Sequence, residues 1–376
     1  MKFIGSLLIS AAALAILLPS AFAQGGAIAY IGTYTRGGSK GIYAYRFQAS
    51  SGKLTEIGLV GETGNPSFLA IHPNHKFLYA VNETANGTVT AFSIDAATGK
   101  LTQLNQVSSK GSGPCHLAFD KTGKWLFVAN YNNGVASAFP VGADGKLGEA
   151  SATVQHAGSS ANPQRQRGPH AHSANPSPDG KFVLFADLGL DQILGYRLDA
   201  AKGMDTANPA ITKIEPGSGP RHMAYHPKGK FAYACTEMAA TVVAFAVTAG
   251  SGSLKELQTV SMLPKDFSGV KSAAEIAVHP SGKFLYASNR ADHNSIAVFA
   301  IDAGKGTLTP VDWTPTQGKN PRNFAIDPTG AYLLAANQDA GGVVVFRIDQ
   351  KTGKLTPTGD KLDVPFPVCV TFLRGR

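Results

Sequence analysis

The sequence predicts an all-β protein, and three observations predict it: an excess of Gly and Pro, short apolar runs set between turn signals, and a unit of about 50 residues that recurs along the chain. The 376 residues include 42 Gly and 22 Pro with no collagen-like period, a composition that calls for many tight turns between short elements. With 43% hydrophobic and 16% charged residues, the chain can bury a sizeable core and is not a disordered polymer.

At the N-terminus, Met1-Lys2 is a short basic start, Phe3 to Leu18 is almost wholly apolar, and Ala21-Phe22-Ala23 before Gln24 has the small-x-small form of a signal-peptidase site. Residues 1–23 read as a cleaved secretory signal, because the apolar run falls short of the roughly 20 residues that a spanning helix needs. Residues 24–376 are then a single exported domain, periplasmic or secreted, with no membrane contact after cleavage. The formal charge of +9 becomes +8 once Lys2 leaves, and the excess is spread rather than blocked, which argues against nucleic acid as a partner. Cys115, Cys235 and Cys369 are an odd count without CxxC or metal-ligand spacing, so no disulfide framework and no metal site is expected.

The repeat begins in IHPNHKFLYAVN (71–82) and returns in FDKTGKWLFVAN (119–130), NPSPDGKFVLFAD (175–187), YHPKGKFAYACT (225–236), VHPSGKFLYASN (278–289) and IDPTGAYLLAAN (326–337). Each is a turn followed by a strand, then a second strand such as GTVTAFSID or GVVVFRIDQ, then a hairpin into a segment such as LTQL or LTPT. The turn positions His75, Gly123, Gly180, Gly229, Gly282 and Gly330 are 48, 57, 49, 53 and 48 residues apart. Four short strands at this period make a β-propeller blade. Six blades are complete. The N-terminal AIAYIGTY, GIYAYRF and LTEIG lack a first strand, and the C-terminal VPFPVCVTFL supplies one. The expected architecture is a seven-bladed β-propeller of four-stranded blades, monomeric, with the ring closed by the C-terminal strand joining the N-terminal blade.

In such a ring the start of each first strand and the end of each second strand meet on one face. The residues entering the first strand read Ser67, Cys115, His170, Arg221, Ala274, Arg322 and Val368, and the next positions include Phe68, His116, His222, Glu275 and Asn323. The residues ending the second strand are Thr33, Asn82, Asn130, Asp187, Thr236, Asn289 and Asn337, short polar groups suited to capping a turn. The residues after them, Tyr34, Glu83, Tyr131, Leu188, Glu237, Arg290 and Gln338, differ from blade to blade, which fold maintenance alone does not require. His170, Arg221, Glu237, Arg290 and Arg322 fall in blades four to seven and form one arc of the mouth, with Glu275 close behind. The insertion 154–173 crosses the same face and is expected to roof the site. Its Arg165 and Arg167 are either anion contacts or plain loop charges, and its His170 and His172 alternate on one strand and point the same way.

The segments HAGSSANPQRQRGPHAHS, GPRHMAYHPKGKFAY, CTEMAATVVAF and SNRADHNSIAVF resemble the lactonase family of seven-bladed propellers, which holds propeller-type 6-phosphogluconolactonases and carboxy-muconate cyclases. The resemblance covers essentially the whole chain after the signal. It implies a carboxylic ester hydrolase and carries the family's active-site His, Arg, Glu and Arg onto His170 or His172, Arg221, Glu237 and Arg290. Around these, Arg322, His116, Glu275, Arg165 and Gln338 are the candidate substrate-binding residues.

Lactone opening needs an activated water, stabilisation of an oxyanion and a proton for the leaving alkoxide. The expectation is general acid/base catalysis with Glu237 or a neutral His as base, Arg221 and Arg290 on the anion, no metal or other cofactor, and a small anionic lactone or sugar acid as ligand. The absence of GxSxG argues against a covalent serine. A cycloisomerase of carboxylated lactones and a non-catalytic extracytoplasmic binding module stand as alternatives.

Overall fold

Each repeat folds into one antiparallel sheet. The computed structural model describes residues 26–375, so the predicted signal segment 1–23 lies outside the described residues. It contains seven sheets and, among the described residues, no helix. The innermost strands are Leu69–Ile71, Pro114–Phe119, Ala171–Pro176, Pro220–Tyr225, Ala273–Val278, Lys319–Ile326 and Pro367–Arg374, and each touches its two neighbours around a closed ring. Closure is made by Pro367–Arg374 pairing with Gly26–Thr33, so both chain ends complete one blade.

Burial follows position in the blade. Phe284–Asn289, second from the axis, is buried at every residue because neighbouring sheets cover both faces, whereas the outermost Leu254–Ser261 is largely open to water. The core is seven apolar layers, one between each pair of adjacent blades. One blade departs from the expected four strands. The outer edge of the fourth is shared by Gly203–Met204 and Ala210–Lys213, both paired with Gln192–Asp199, because the intervening DTANP carries Pro209 and cannot continue the ladder.

A recurring turn histidine locks three of the blades to the next. His72 Nε2 lies 2.9 Å from the Gly123 carbonyl, His226 Nε2 3.1 Å from that of Gly282, and His279 Nε2 2.8 Å from that of Gly330. A carbonyl only accepts, so each imidazole donates from Nε2. These glycines sit at φ of +71° to +78°, and a Cβ on Gly330 would lie 2.7 Å from the His279 Nε2. The Tyr of the FLYA segments does the same a layer further out, with Tyr79 and Tyr286 donating to the carbonyls of Gly145 and Gly353 at 2.6 and 2.8 Å. Cys115, Cys235 and Cys369 are free and buried.

The feature that builds the mouth is a repeated irregularity. In six blades the pairing slips by one residue where the innermost strand begins, at Gly32/Thr33 against Cys369/Pro367, and at Pro114/His116, Ala171/Ser173, Pro220/Met223, Ala273/Ile276 and Pro321/Asn323. The extra residue is Val368, Cys115, His172 or Arg322, or falls within Arg221-His222 or Ala274-Glu275. Such a bulge bends the strand and re-aims a side chain out of the ladder.

Gly330→Ala therefore strains a left-handed turn and breaks the His279 contact together. We expect a loss of about 2 kcal/mol, from about 1 kcal/mol of backbone strain and a similar hydrogen-bond term, measured by urea unfolding.

Candidate active site

Glu237 follows the buried strand Phe231–Thr236, and its backbone is held on both sides: its N–H donates to Gly219 O at 2.7 Å and its carbonyl accepts from Ala273 N at 2.9 Å. The carboxylate so placed gathers three guanidinium groups. Arg221 Nε is 3.0 Å from Oε2, Arg290 Nη2 3.0 Å from Oε2, and Arg165 Nη2 2.7 Å from Oε1, while His172 Nε2 stands 4.0 Å from Oε2. Arg221 also donates to Ala274 O at 2.6 Å and Arg290 to Ala273 O at 3.0 Å. Three cations around one anion leave a surplus of two positive charges.

Burial by itself would raise the Glu237 carboxyl, but Arg290 and Arg221, with the Arg165 hydrogen bond, outweigh it and hold the group down at about 2. Burial pulls Arg290 the other way, down to about 10, with Glu237 opposing and Arg221 adding. The His172 imidazole is held well below its ordinary range, first by burial and then by Arg221, and so is neutral at pH 7.

The insertion 154–173 does cross the mouth, anchored at three points. His156 Nδ1 meets Asp187 at 2.7 Å, Ser160 Oγ and Gln166 Nε2 donate to Asp191 at 2.6 and 2.7 Å, and Arg165 reaches Glu237 and the Tyr131 hydroxyl, the latter at 3.0 Å. Arg167 does not join; its Nε donates to Pro163 O on the exterior.

The blade-four register needs correction. It is His172, not His170, that takes the strand-entry position, since the strand starts at Ala171 and GPHAHS carries two residues more ahead of it than GPCH or GPRH. His170 stays in the roof, Nδ1 2.8 Å from Tyr131 O and ring stacked on Tyr131 at 4.6 Å, while His172 meets the same ring edge-on at 5.3 Å. The next positions form a layer below the mouth. Phe68 stacks on His116 at 4.1 Å, His116 packs on His222 at 5.0 Å, His222 Nδ1 lies 3.0 Å from Glu275 Oε1, and Asn323 Nδ2 donates to Glu275 Oε2. Phe68, His116, Glu275 and Asn323 cap an axial cavity of about 570 Å³ that continues towards Pro280 and Thr371, so His116 and Glu275 lie beneath the Glu237 cluster and not in it. Burial raises the Glu275 carboxyl and lowers His116 and His222.

Arg322 stands on the far side of the mouth, Nη2 3.8 Å from Glu83 Oε2 and its guanidinium carbon 5.5 Å from the centre of the Tyr34 ring. Gln338 does not join any of these groups; it donates to Asp339 on the exposed rim. The site thus includes Tyr131, Tyr34 and Glu83, which sequence reasoning placed at ring positions without singling them out. Some strand-ending residues do cap the turn after their own strand, with Thr236 Oγ1 2.7 Å from Thr241 Oγ1, Asn130 Nδ2 donating to Val135 O at 3.0 Å and Asp187 accepting from Gly189 N. Asn82 Nδ2 and Asn289 Nδ2 also reach the connection from the preceding blade, donating to Gly64 O at 2.6 Å and Met262 O at 2.8 Å.

Comparison with known proteins accords with this geometry. The family "Lactonase, 7-bladed beta-propeller" matches residues 28–372. The chain is 38% identical over 347 residues to a 6-phosphogluconolactonase of Bacillus subtilis, covering 92% of this chain and 98% of that one, and 37% identical to a 6-phosphogluconolactonase of Formosa agariphila, covering 89% and 96%. The solved structure of a periplasmic gluconolactonase from Pseudomonas aeruginosa superposes with a TM-score of 0.89 at 34% identity, covering 93% of this chain and all of the other.

Glu237→Gln leaves buried guanidinium groups without their counter-ion, and should cost about 3 kcal/mol in urea unfolding at pH 7. The folded carboxyl, at about 2, lies below its ordinary 4.5, so its contribution is complete above pH 4.5 and is lost as pH falls towards 2. The stabilities of the two proteins should converge over that interval.

Proposed function

The chain belongs to the lactonase family of seven-bladed β-propellers, and from that premise we propose that it hydrolyses a small sugar lactone by general acid/base catalysis at the Glu237 mouth. The observation that carries the reading is the uncompensated charge: a surplus of two positive charges beside a neutral His172, in a mouth where Arg165 is 42% exposed. A binding module whose charges served only structure would pair them off. This cluster does not, and an oxyanion or carboxylate supplies what it lacks.

Between the two bases the sequence left open, the environment favours His172. Both Glu237 oxygens are already engaged by guanidinium groups, Oε1 by Arg165 and Oε2 by Arg221 and Arg290, so Glu237 acts as the anchor that orients Arg290 and Arg165. His172 takes a proton from water as the water oxygen bonds to the lactone carbonyl carbon. Arg290 and Arg165 receive the developing oxyanion. As the ring C–O bond breaks, His172 returns the proton to the departing alkoxide, and the new acid ionises, releasing one proton to solvent. Arg221, committed to Glu237 and Ala274 O and only 1% exposed, is a positioning residue. We place the enzyme outside the cytoplasm, on the strength of the apolar run Phe3 to Leu18 and the Ala21-Phe22-Ala23 site.

The test is opening of gluconolactone and 6-phosphogluconolactone by the purified protein with chelator present, corrected for the spontaneous rate. Turnover of at least one is expected, with kcat/KM falling at least 100-fold in His172→Gln and in Arg290→Ala, of the order seen for loss of an acid/base group or an oxyanion donor. Because His172 stays neutral well below its usual range, kcat/KM should hold level from pH 8 to below 6.5. A bell centred on an ordinary histidine value would remove His172 as the base.

A further inference from the structure

We propose that Glu83 and Tyr34 form a second subsite of the mouth, one that receives the hydroxylated tail of the lactone and prefers an uncharged tail to a phosphorylated one. The inference rests on the hydrolase reading above. It starts from the asymmetry of charge. On the Glu237 side three guanidinium groups face one carboxylate; on the opposite side Arg322 faces Glu83 one to one, with no surplus. Blade two, which carries Glu83, is three blades from blade five, which carries Glu237, the widest separation a seven-membered ring allows. Glu83 directly follows its blade's second strand as Glu237 does, and Arg322 stands at the bulge of an innermost strand as Arg221 does, so all four open on the same mouth.

The reacting end of the substrate is fixed by chemistry. The carbonyl that becomes an oxyanion belongs beside the surplus cations and His172, so the rest of the ring and its hydroxyl-bearing carbon point towards Glu83.

That second side is built to hold a ligand rather than to fill space. Glu83 N donates to Asn65 O at 3.0 Å, Asn65 Nδ2 returns a bond to Glu83 O at 3.3 Å, and Asn65 Oδ1 accepts from Thr35 N and its hydroxyl. Tyr34 N donates to Phe366 O at 3.0 Å, tying the tyrosine to the closing segment of the ring. The Tyr34 hydroxyl donates to Glu83 Oε2 at 3.1 Å, and the Glu83 side chain keeps 22% of its surface in water. Among the described residues every side-chain contact of Glu83 runs to Oε2, so Oε1 remains free to accept from hydroxyls. A carboxylate with open lone pairs accepts well from the vicinal hydroxyls of a polyol. It repels a phosphate carrying about two negative charges, and the single Arg322 beside it is already matched.

The test is the ratio of kcat/KM for gluconolactone to that for 6-phosphogluconolactone, in the full protein and in Glu83→Gln and Tyr34→Phe, each checked for an unaltered melting transition. We expect the unphosphorylated lactone to be preferred at least tenfold. Glu83→Gln should narrow that ratio about tenfold, chiefly by raising KM for gluconolactone and lowering it for the phosphorylated lactone, in keeping with loss of one hydrogen bond to a charged group. Tyr34→Phe should shift the ratio the same way by a smaller factor, and it decides the matter alone if Glu83→Gln does not fold. A wild-type preference for the phosphorylated lactone, or a ratio within twofold of wild type in both variants, overturns the subsite while leaving the hydrolase reading intact. Failure of the wild-type protein to open either lactone removes the hydrolase reading and this subsite with it.

Discussion

Seven twisted sheets strung on one chain form a ring only if the last can pair with the first, and here that pairing joins Pro367–Arg374 to Gly26–Thr33 over the length of both strands. Everything at the mouth depends on it. With the ring closed, the heads of seven innermost strands meet around one axis, and each apolar layer has a blade on both faces. The His-to-Gly contacts then set the spacing at three of the blade junctions, since a glycine carbonyl can approach an imidazole that closely only when no Cβ intervenes. This scaffold is nearly uniform from blade to blade. Function lies in what is not uniform, the side chains at the bulge and those just past the second strand.

The bulge converts a structural ring into a chemical one. A regular ladder would turn alternate residues into the interblade layers, where His172, Arg221 and Arg322 could not be accommodated without partners. One added residue at each strand head releases them towards the axis. Glu237 holds Arg221 and stands 4.0 Å from His172, while Arg322 is met by Glu83. Glu237 is buried, yet its charge is favoured because three cations and two backbone contacts define its place, and the excess of cations over anions is what an anionic transition state can use.

Much of this was legible in the sequence because it repeats. The HPxGKF turns announce the blades, and the missing first strand of AIAYIGTY together with the spare strand VPFPVCVTFL announces the closure. The arc containing Arg221, Glu237 and Arg290 followed from register alone, since position in a blade determines position around the axis. Register failed where the repeat does. The insertion 154–173 adds two residues before the strand, so His170 was set where His172 stands. Position also could not report orientation: Gln338 occupies the same ring as Glu237 but turns out to Asp339 on the rim, and Glu83 and Tyr34 turn inwards towards Arg322. Nor could the sequence show that Glu275 and His116 lie one layer down, closing the axial cavity instead of facing the Glu237 cluster. Those distinctions depend on side-chain partners contributed by other blades.

A crystal structure with the ring-opened sugar acid bound tests most directly whether the Glu237 mouth is the place where a lactone is opened. We predict the product carboxylate within hydrogen-bond distance of Arg290 or Arg165, next to His172, with its hydroxyl chain directed across the mouth to Glu83. Product seated instead in the axial cavity below Phe68 and Glu275, or on the outer edge of the blades, would contradict the account.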